Sequence, residues 1–435
     1  MKSTRPALLA AGAAAVVVAS ALAAGCGTRP APRLGAAREI RGVVAVEPQV
    51  SPGPYAAADL AFGLDVLGAW CRQDPAQNIV LSPSSLASGL GMAYLGAAGT
   101  TAQAMARVLH LPAPGSIKAG SIEAGLQARS RALQRLNGPG VTVATADRVW
   151  ADPKLLPIRS YLDAVATSYG AGVGRVPLLT DPAGAAGQID AAIAAATKGH
   201  ITNLLSAEAV QGSIFVLTDA LYLKARWADP FPAGQTTTGG FATAAGQHVR
   251  AQYLNNDATS ASDGGWTAVS LPYRGDRLSM TALLPPAPAS AGIAPATAGN
   301  CPDLSPATLA ALTRKLNGPR SRINPLSLPE VNLRTQADLR PLLSGLGMGV
   351  AFGGSADFSR MSVQAASLGT VEHAATLRVD AQGTVASAAT AVTVLPAAMV
   401  ATPPVVFNRP YLLLVSATGT GEPLFLARVA NPDEP

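Results

Sequence analysis

A chain of 435 residues that is 49% hydrophobic and 13% charged can bury a large core, and with aromatics at only 5% that core must be mostly Leu, Val and Ala. The net charge of +6 is spread without any run of Lys or Arg, which argues against a nucleic-acid partner. Four scattered His, with no Cys-x-x-Cys and no His-x-x-x-His, argue against a metal centre, and nothing implies a cofactor.

Residues 1–25 have the layout of a secretory signal. Lys2 and Arg5 give a positive start, an uncharged and mostly apolar run follows, and Ala23-Ala24-Gly25-Cys26 closes it with small residues. The Cys after Gly resembles a bacterial lipobox, although Ala23 stands where a large aliphatic residue is usual. Two readings follow: lipidation at Cys26, which would tie the protein to the outer face of a bacterial membrane, or an ordinary signal peptide cut elsewhere. The run is short for the ~20 apolar residues of a spanning helix. Residues 26–54, rich in Pro, Ala and Gly, are expected to form a tether, and residues 55–435 the folded domain. Cys71 and Cys301 then remain in an exported chain, where disulfides persist. Either they pair, or Cys71 beside Trp70 is a buried free thiol.

Along the domain, Leu60, Phe62, Leu64, Val66, Leu67 and Trp70 recur at helical spacing and predict a helix over 59–72. Asn78-Ile79-Val80-Leu81-Ser82-Pro83-Ser84-Ser85 reads as a short strand running into a helix start, with Pro at an early position and a Ser hydroxyl to cap free N–H groups. That helix should pass Leu86, Leu90 and Met92 and end near Leu95, before a second that ends near Leu109. Residues 286–306, dense in Pro and Ala, read as a surface excursion. Residues 384–395 carry no charge, Gly or Pro and are mostly small or β-branched, as a strand buried on both faces can accept. Yet Pro396 and Pro403-Pro404 follow, which is loop punctuation.

The block over 78–109 resembles a signature of the serpin family. Further blocks keep the family's order: Thr197-Lys198-Gly199-His200-Ile201, the run from Phe215 to Trp227, Val269-Ser270-Leu271-Pro272-Tyr273, Asp357-Phe358-Ser359, Phe407-Asn408-Arg409-Pro410-Tyr411 and the close at Leu424 to Pro432. The resemblance implies an α+β fold: a large mixed sheet A, smaller sheets B and C, eight to nine helices and an exposed reactive-centre loop at about 381–406. It implies a monomer prone to loop–sheet polymers, whose partner is a serine protease held covalently. The protease cleaves the loop, and the freed segment enters sheet A before hydrolysis is complete; loop insertion of this kind is a known mode of strand addition.

The resemblance marks Gly383, Thr384, Val385, Ala386, Ser387, Ala388 and Ala389 as the loop hinge, with no charge to desolvate and no Pro to remove a ladder donor. The rival reading of this segment is a permanent core strand. The family's spacing counted forward from Gly383 implies a scissile bond at Ala397-Ala398, and counted back from Phe407 and Pro410 implies one at Met399-Val400. No Lys or Arg lies in the loop, so an elastase-like or subtilisin-like protease fits best. Ser82, Ser85, Asp219 and His373 are implied to meet at a gate where the sheet parts. Asp219 stands where the family usually has Asn, and sharing a proton with His373 is the least costly way to bury it. A helix over 122–136 carries Arg129, Arg131 and Arg135 where some serpins bind polyanions, but three Arg around a helix read as a solvated face. Gly-x-Ser-x-Gly and Ser-x-x-Lys are both absent, so hydrolase activity is not expected. The alternative is a serpin fold that binds without inhibiting.

Overall fold

The computed structural model describes residues 37–111, 121–232, 234–287, 301–319, 321–384 and 403–434. The elements begin with β1 (Arg38–Ile40), α1 (Gly53–Gln73), β2 (Ile79–Leu81), α2 (Pro83–Gly96), α3 (Gly99–Val108), α4 (Ser121–Gln134), β3 (Val141–Thr145) and β4 (Arg148–Ala151). Next come α5 (Arg159–Tyr169), β5 (Val173–Arg175), α6 (Pro182–Ala196), α7 (Ala207–Val210), β6 (Phe215–Arg226), β7 (Thr237–Ala242), β8 (His248–Asp263), β9 (Trp266–Pro272) and β10 (Leu278–Leu284). The last are α8 (Pro306–Leu316), β11 (Arg322–Pro329), β12 (Val331–Asp338), α9 (Arg340–Leu343), β13 (Val371–Val379), β14 (Gly383–Thr384), β15 (Val405–Val406), β16 (Tyr411–Ala417) and β17 (Pro423–Val429).

One sheet has eight strands in the order β1-β5-β4-β6-β13-β12, with β3 and β14 also paired to β6. The other has nine, β15-β11-β8-β9-β10-β16-β17-β2, with β7 on β8. The expected sheets B and C are continuous here because the 16-residue β8 belongs to both. β6 is buried from Phe215 through Leu223, as the mostly apolar run at its start requires. Behind the first sheet, Phe62, Val66, Leu86 and Leu90 of α1 and α2 pack with Leu412 and Leu426 of the second. Across its front lie α6 and the following turn, where Ile189, Ile193, Ile201 and Leu204 cover Trp150, Ala220 and Ala374.

The helix stripe over 59–72 is part of α1, which starts earlier, at Gly53. α2 begins at Pro83, and the Ser82 hydroxyl accepts from Ser85 N at 3.2 Å. Residues 37–45 do not run as a free tether, and Gly53 and Pro54 already belong to α1. β1 pairs antiparallel with β5, Val43 N donates to Asp163 Oδ1 at 2.6 Å and Ala45 N to Thr167 Oγ1 at 2.8 Å. The edge of β5 has free ladder groups, and a passing strand satisfies them. Gly42 permits the close passage: a Cβ there would collide with the α5 backbone at Leu162 and Asp163. Cys71 and Cys301 are joined in a disulfide with Cα atoms 5.8 Å apart, so Cys71 is not a free thiol. The link fixes the end of the Pro/Ala-rich excursion to α1.

Candidate functional site

The centre of the eight-stranded sheet is only partly closed. β13 runs parallel to β6 from Val371 opposite Leu217 to Ala375 opposite Leu221, and there the ladder stops. Above that point β13 continues, among the described residues, against β12 alone, as far as Val379 opposite Val331. At the far end of β6, β14 takes up the ladder, with Gly383 opposite Arg226 and Thr384 opposite Ala225. Between them, Tyr222, Leu223 and Lys224 have no strand partner on this side among the described residues; on their other side they pair with β3. The result is a slot, shut below and seeded above. The His200 ring stacks on Tyr222 at 3.9 Å, so the turn after α6 lies across it.

The hinge is held by specific contacts. A turn from Asp380 to Gly383 is closed by Asp380 N to Gly383 O at 3.0 Å, and Asp380 Oδ1 accepts from Gln382 N and Gly383 N. Trp227 N donates to Gln382 O, Phe231 N to Ala381 O, and Trp227 Nε1 to Asp380 O at 2.9 Å. Gly383 has φ +151°, and a Cβ on it would collide with the Ala225 carbonyl oxygen, so only glycine fits. Thr384 is 1% exposed, and its hydroxyl meets the Tyr273 hydroxyl at 2.7 Å. Val385, Ala386, Ser387, Ala388 and Ala389 lie outside the described residues, as do Ala397, Ala398, Met399 and Val400; so does Cys26.

Where the ladder is shut, the structure brings together three of the four expected polar residues and adds one. His373 sits opposite Asp219 in the register, with Nδ1 3.0 Å from Asp219 Oδ1. The Ser85 hydroxyl donates to Asp147, which lies between β3 and β4. Ser82 instead caps α2. His373 Nε2 and Asp219 Oδ2 are buried without a hydrogen-bond partner among the described residues. Burial, with Asp219 close by, pushes the Asp147 carboxyl well above the usual carboxylate range. Burial also raises Asp219, against the pull of His373. Asp147 escapes sequence reasoning because it stands between Ala146 and Arg148, a setting that reads as an ordinary surface ion pair.

A second buried polar group lies beyond this one. Arg129 on α4 is not on a solvated face: it is 1% exposed, with Nη1 2.6 Å from Asp59 Oδ2 and Nη2 2.6 Å from Ser88 Oγ. Only Arg131 and Arg135 remain exposed there. Burial raises Asp59, and burial with the neighbouring Asp59 charge raises Glu422 well above its ordinary value.

Residues 57–432 match the model of the family described as Serpin (serine protease inhibitor). The chain belongs to the serpin family. That family is one of protease inhibitors rather than enzymes. Among curated relatives, Serpin-Z1B of Triticum aestivum is 29% identical over 82% of this chain and 90% of its own length. Leukocyte elastase inhibitor of Bos taurus is 28% identical over 86% of this chain and 99% of its own. The native structure of Tengpin, a thermophilic serpin, superposes with a TM-score of 0.77 at 20% identity, over 91% of this chain and 100% of that one, and shows the fold.

Proposed function

We propose that the protein is an inhibitor that traps a serine endopeptidase by letting it cut the loop and then inserting the freed strand into the slot. The observation that carries this reading is the slot itself, with Gly383 and Thr384 already paired at its open end. In the first step the protease serine Oγ attacks the Ala397 carbonyl. An ester forms on Ala397, and the amine of Ala398 leaves with the proton delivered by the protease's own histidine. Residues 385–395 then follow Thr384 into the sheet. The ester is carried with them, and the distorted protease no longer completes hydrolysis. Asp219 and His373 act as the gate, because their contact joins β6 to β13 where the two must part, and the Ser85–Asp147 bond between α2 and the β3–β4 connection lies beside it.

The neutral loop fits elastase-like or subtilisin-like pockets, and the relative named for inhibition of leukocyte elastase supports that choice. The disulfide supports export, and lipidation at Cys26 would leave the inhibitor tethered at the cell surface. Incubation with pancreatic elastase, subtilisin and trypsin, followed by a denaturing gel, tests the reading. A covalent adduct with the first two and not the third is expected. Cleavage without adduct means a substrate, and no reaction with any of them favours a binding module.

A further inference from the structure

Tyr273 is fully buried, its ring stacked on Trp227 with centroids 4.5 Å apart and planes within 12°. Its position follows from the tight turn between β9 and β10, where Tyr273 N donates to Leu278 O at 3.0 Å. The one polar atom of the side chain therefore has a fixed place in an apolar wall, and burial keeps the phenol protonated. The hydroxyl partner that the structure gives it is Thr384, on the hinge. If the hinge left, a buried hydroxyl would lose its bond, so departure of the hinge carries a cost at Tyr273 as well.

The contact also fixes register. With Thr384 opposite Ala225, an antiparallel strand that continues into the slot brings Ala386 opposite Leu223 and Ala388 opposite Leu221. A slip of one residue would turn every side chain to the other face of the sheet. The glycine-only site at Gly383 and the turn before it hold the start of the strand, and Thr384 is the first residue whose side chain also marks where the strand stands. Because the same residue stays at the top of the slot before and after insertion, the bond need not be broken during the move.

We propose that the Tyr273 hydroxyl is a positioning group for insertion: it seats Thr384 in register at the head of the slot, and so raises the share of encounters that end in trapping rather than simple cleavage. This rests on the trapping mechanism for its consequence, but the seating is a property of the intact protein and is measured separately.

The experiment uses full-length protein with Tyr273→Phe, Thr384→Val and Thr384→Ser. Phe keeps the ring stack, Val keeps the shape of Thr without the hydroxyl, and Ser keeps the hydroxyl without the methyl. Hydrogen exchange over 380–384 reads the seating, and the adduct-to-cleaved ratio with elastase reads the consequence. The Tyr273→Phe and Thr384→Val proteins should exchange faster at the hinge and trap about fivefold less well, the change that one net hydrogen bond supports. The Thr384→Ser protein should stay within about twofold of the parent. Unchanged hinge exchange in Tyr273→Phe overturns the proposal. So does a Thr384→Val protein that traps better than Thr384→Ser, since simple apolar burial would give that order. A parent protein that is only cleaved refutes the trapping function, and hinge exchange still decides whether Tyr273 seats Thr384.

Discussion

Half-buried Asp147 and buried Asp219 place two carboxyl groups in one cluster, with the Ser85 hydroxyl bonded to the first and the His373 ring to the second. Both are held above the usual range by burial, Asp147 further raised by the charge of Asp219. A carboxyl whose folded pKa is raised binds more protons in the fold than in the unfolded chain over the interval between the two values. Its contribution to stability is complete below the unfolded value of about 4 and is lost as pH rises through the folded one. The closed sheet should therefore be firmest in mild acid and weaken toward neutral pH. Asp147→Asn keeps an acceptor for Ser85 without the charge, and should stabilise the protein at about pH 7 by about 1–3 kcal/mol. Asp59 and Glu422 slope the same way, so the mutant profile becomes shallower rather than flat. Denaturation midpoints for both proteins, measured from about pH 4 to about pH 8, check this. Parallel profiles would show that the fold does not raise the Asp147 carboxyl.

The hinge should tolerate no charge. Thr384→Arg places a guanidinium where a 1% exposed hydroxyl now sits, at a cost of several kcal/mol. The loop should still be cut quickly while the covalent adduct disappears. Gly383→Ala should act alike for a different reason, since its Cβ collides with the backbone of Ala225. Gel assays that show either mutant trapping as well as the parent would remove insertion from the mechanism.

Ala397→Arg should create activity against trypsin-like enzymes by supplying the cation their pocket pairs with. The position lies beyond the entering strand, so trapping should survive. Mass spectrometry of the cleaved loop settles the register, and a cut after Met399 would show the residue to be misplaced.

Cleavage within the loop should raise the melting temperature by tens of degrees, because the slot gains ladder bonds on both sides at about 1 kcal/mol each. Calorimetry of intact and cut protein makes the comparison. Equal melting temperatures would mean that the slot stays empty.

Much of this architecture is legible in the sequence where the pattern is long. The stripe from Leu60 to Trp70 and the Ser-Pro start of α2 give those helices directly, and the mostly apolar run of β6 marks a strand buried on both faces. What escapes is set by tertiary partners. β1 is three residues with one Arg and one Glu, a strand only because the edge of β5 lies beside it. Arg129 looks solvated until Asp59 and Ser88 are seen around it. The pairing of Cys71 with Cys301 spans 230 residues, and no local spacing could decide it. Gly383 and Thr384 stand out as a hinge by resemblance, but Tyr273 as their partner depends on a turn 111 residues away.

The capture of β1 by β5 has a consequence for how copies of this protein would meet. It leaves β12 as the other margin of the sheet, where exposed Asn332 and Arg334 discourage a flat apolar contact. Among the described residues the slot is then the one place in this sheet's interior where backbone groups still await a strand. Each intact molecule would have one acceptor and, in its own loop, one donor. A unit of valence two grows end to end and does not branch, so heated protein should form threads rather than a network. A copy whose loop has been cut and inserted would have neither function, and should drop out of such growth altogether.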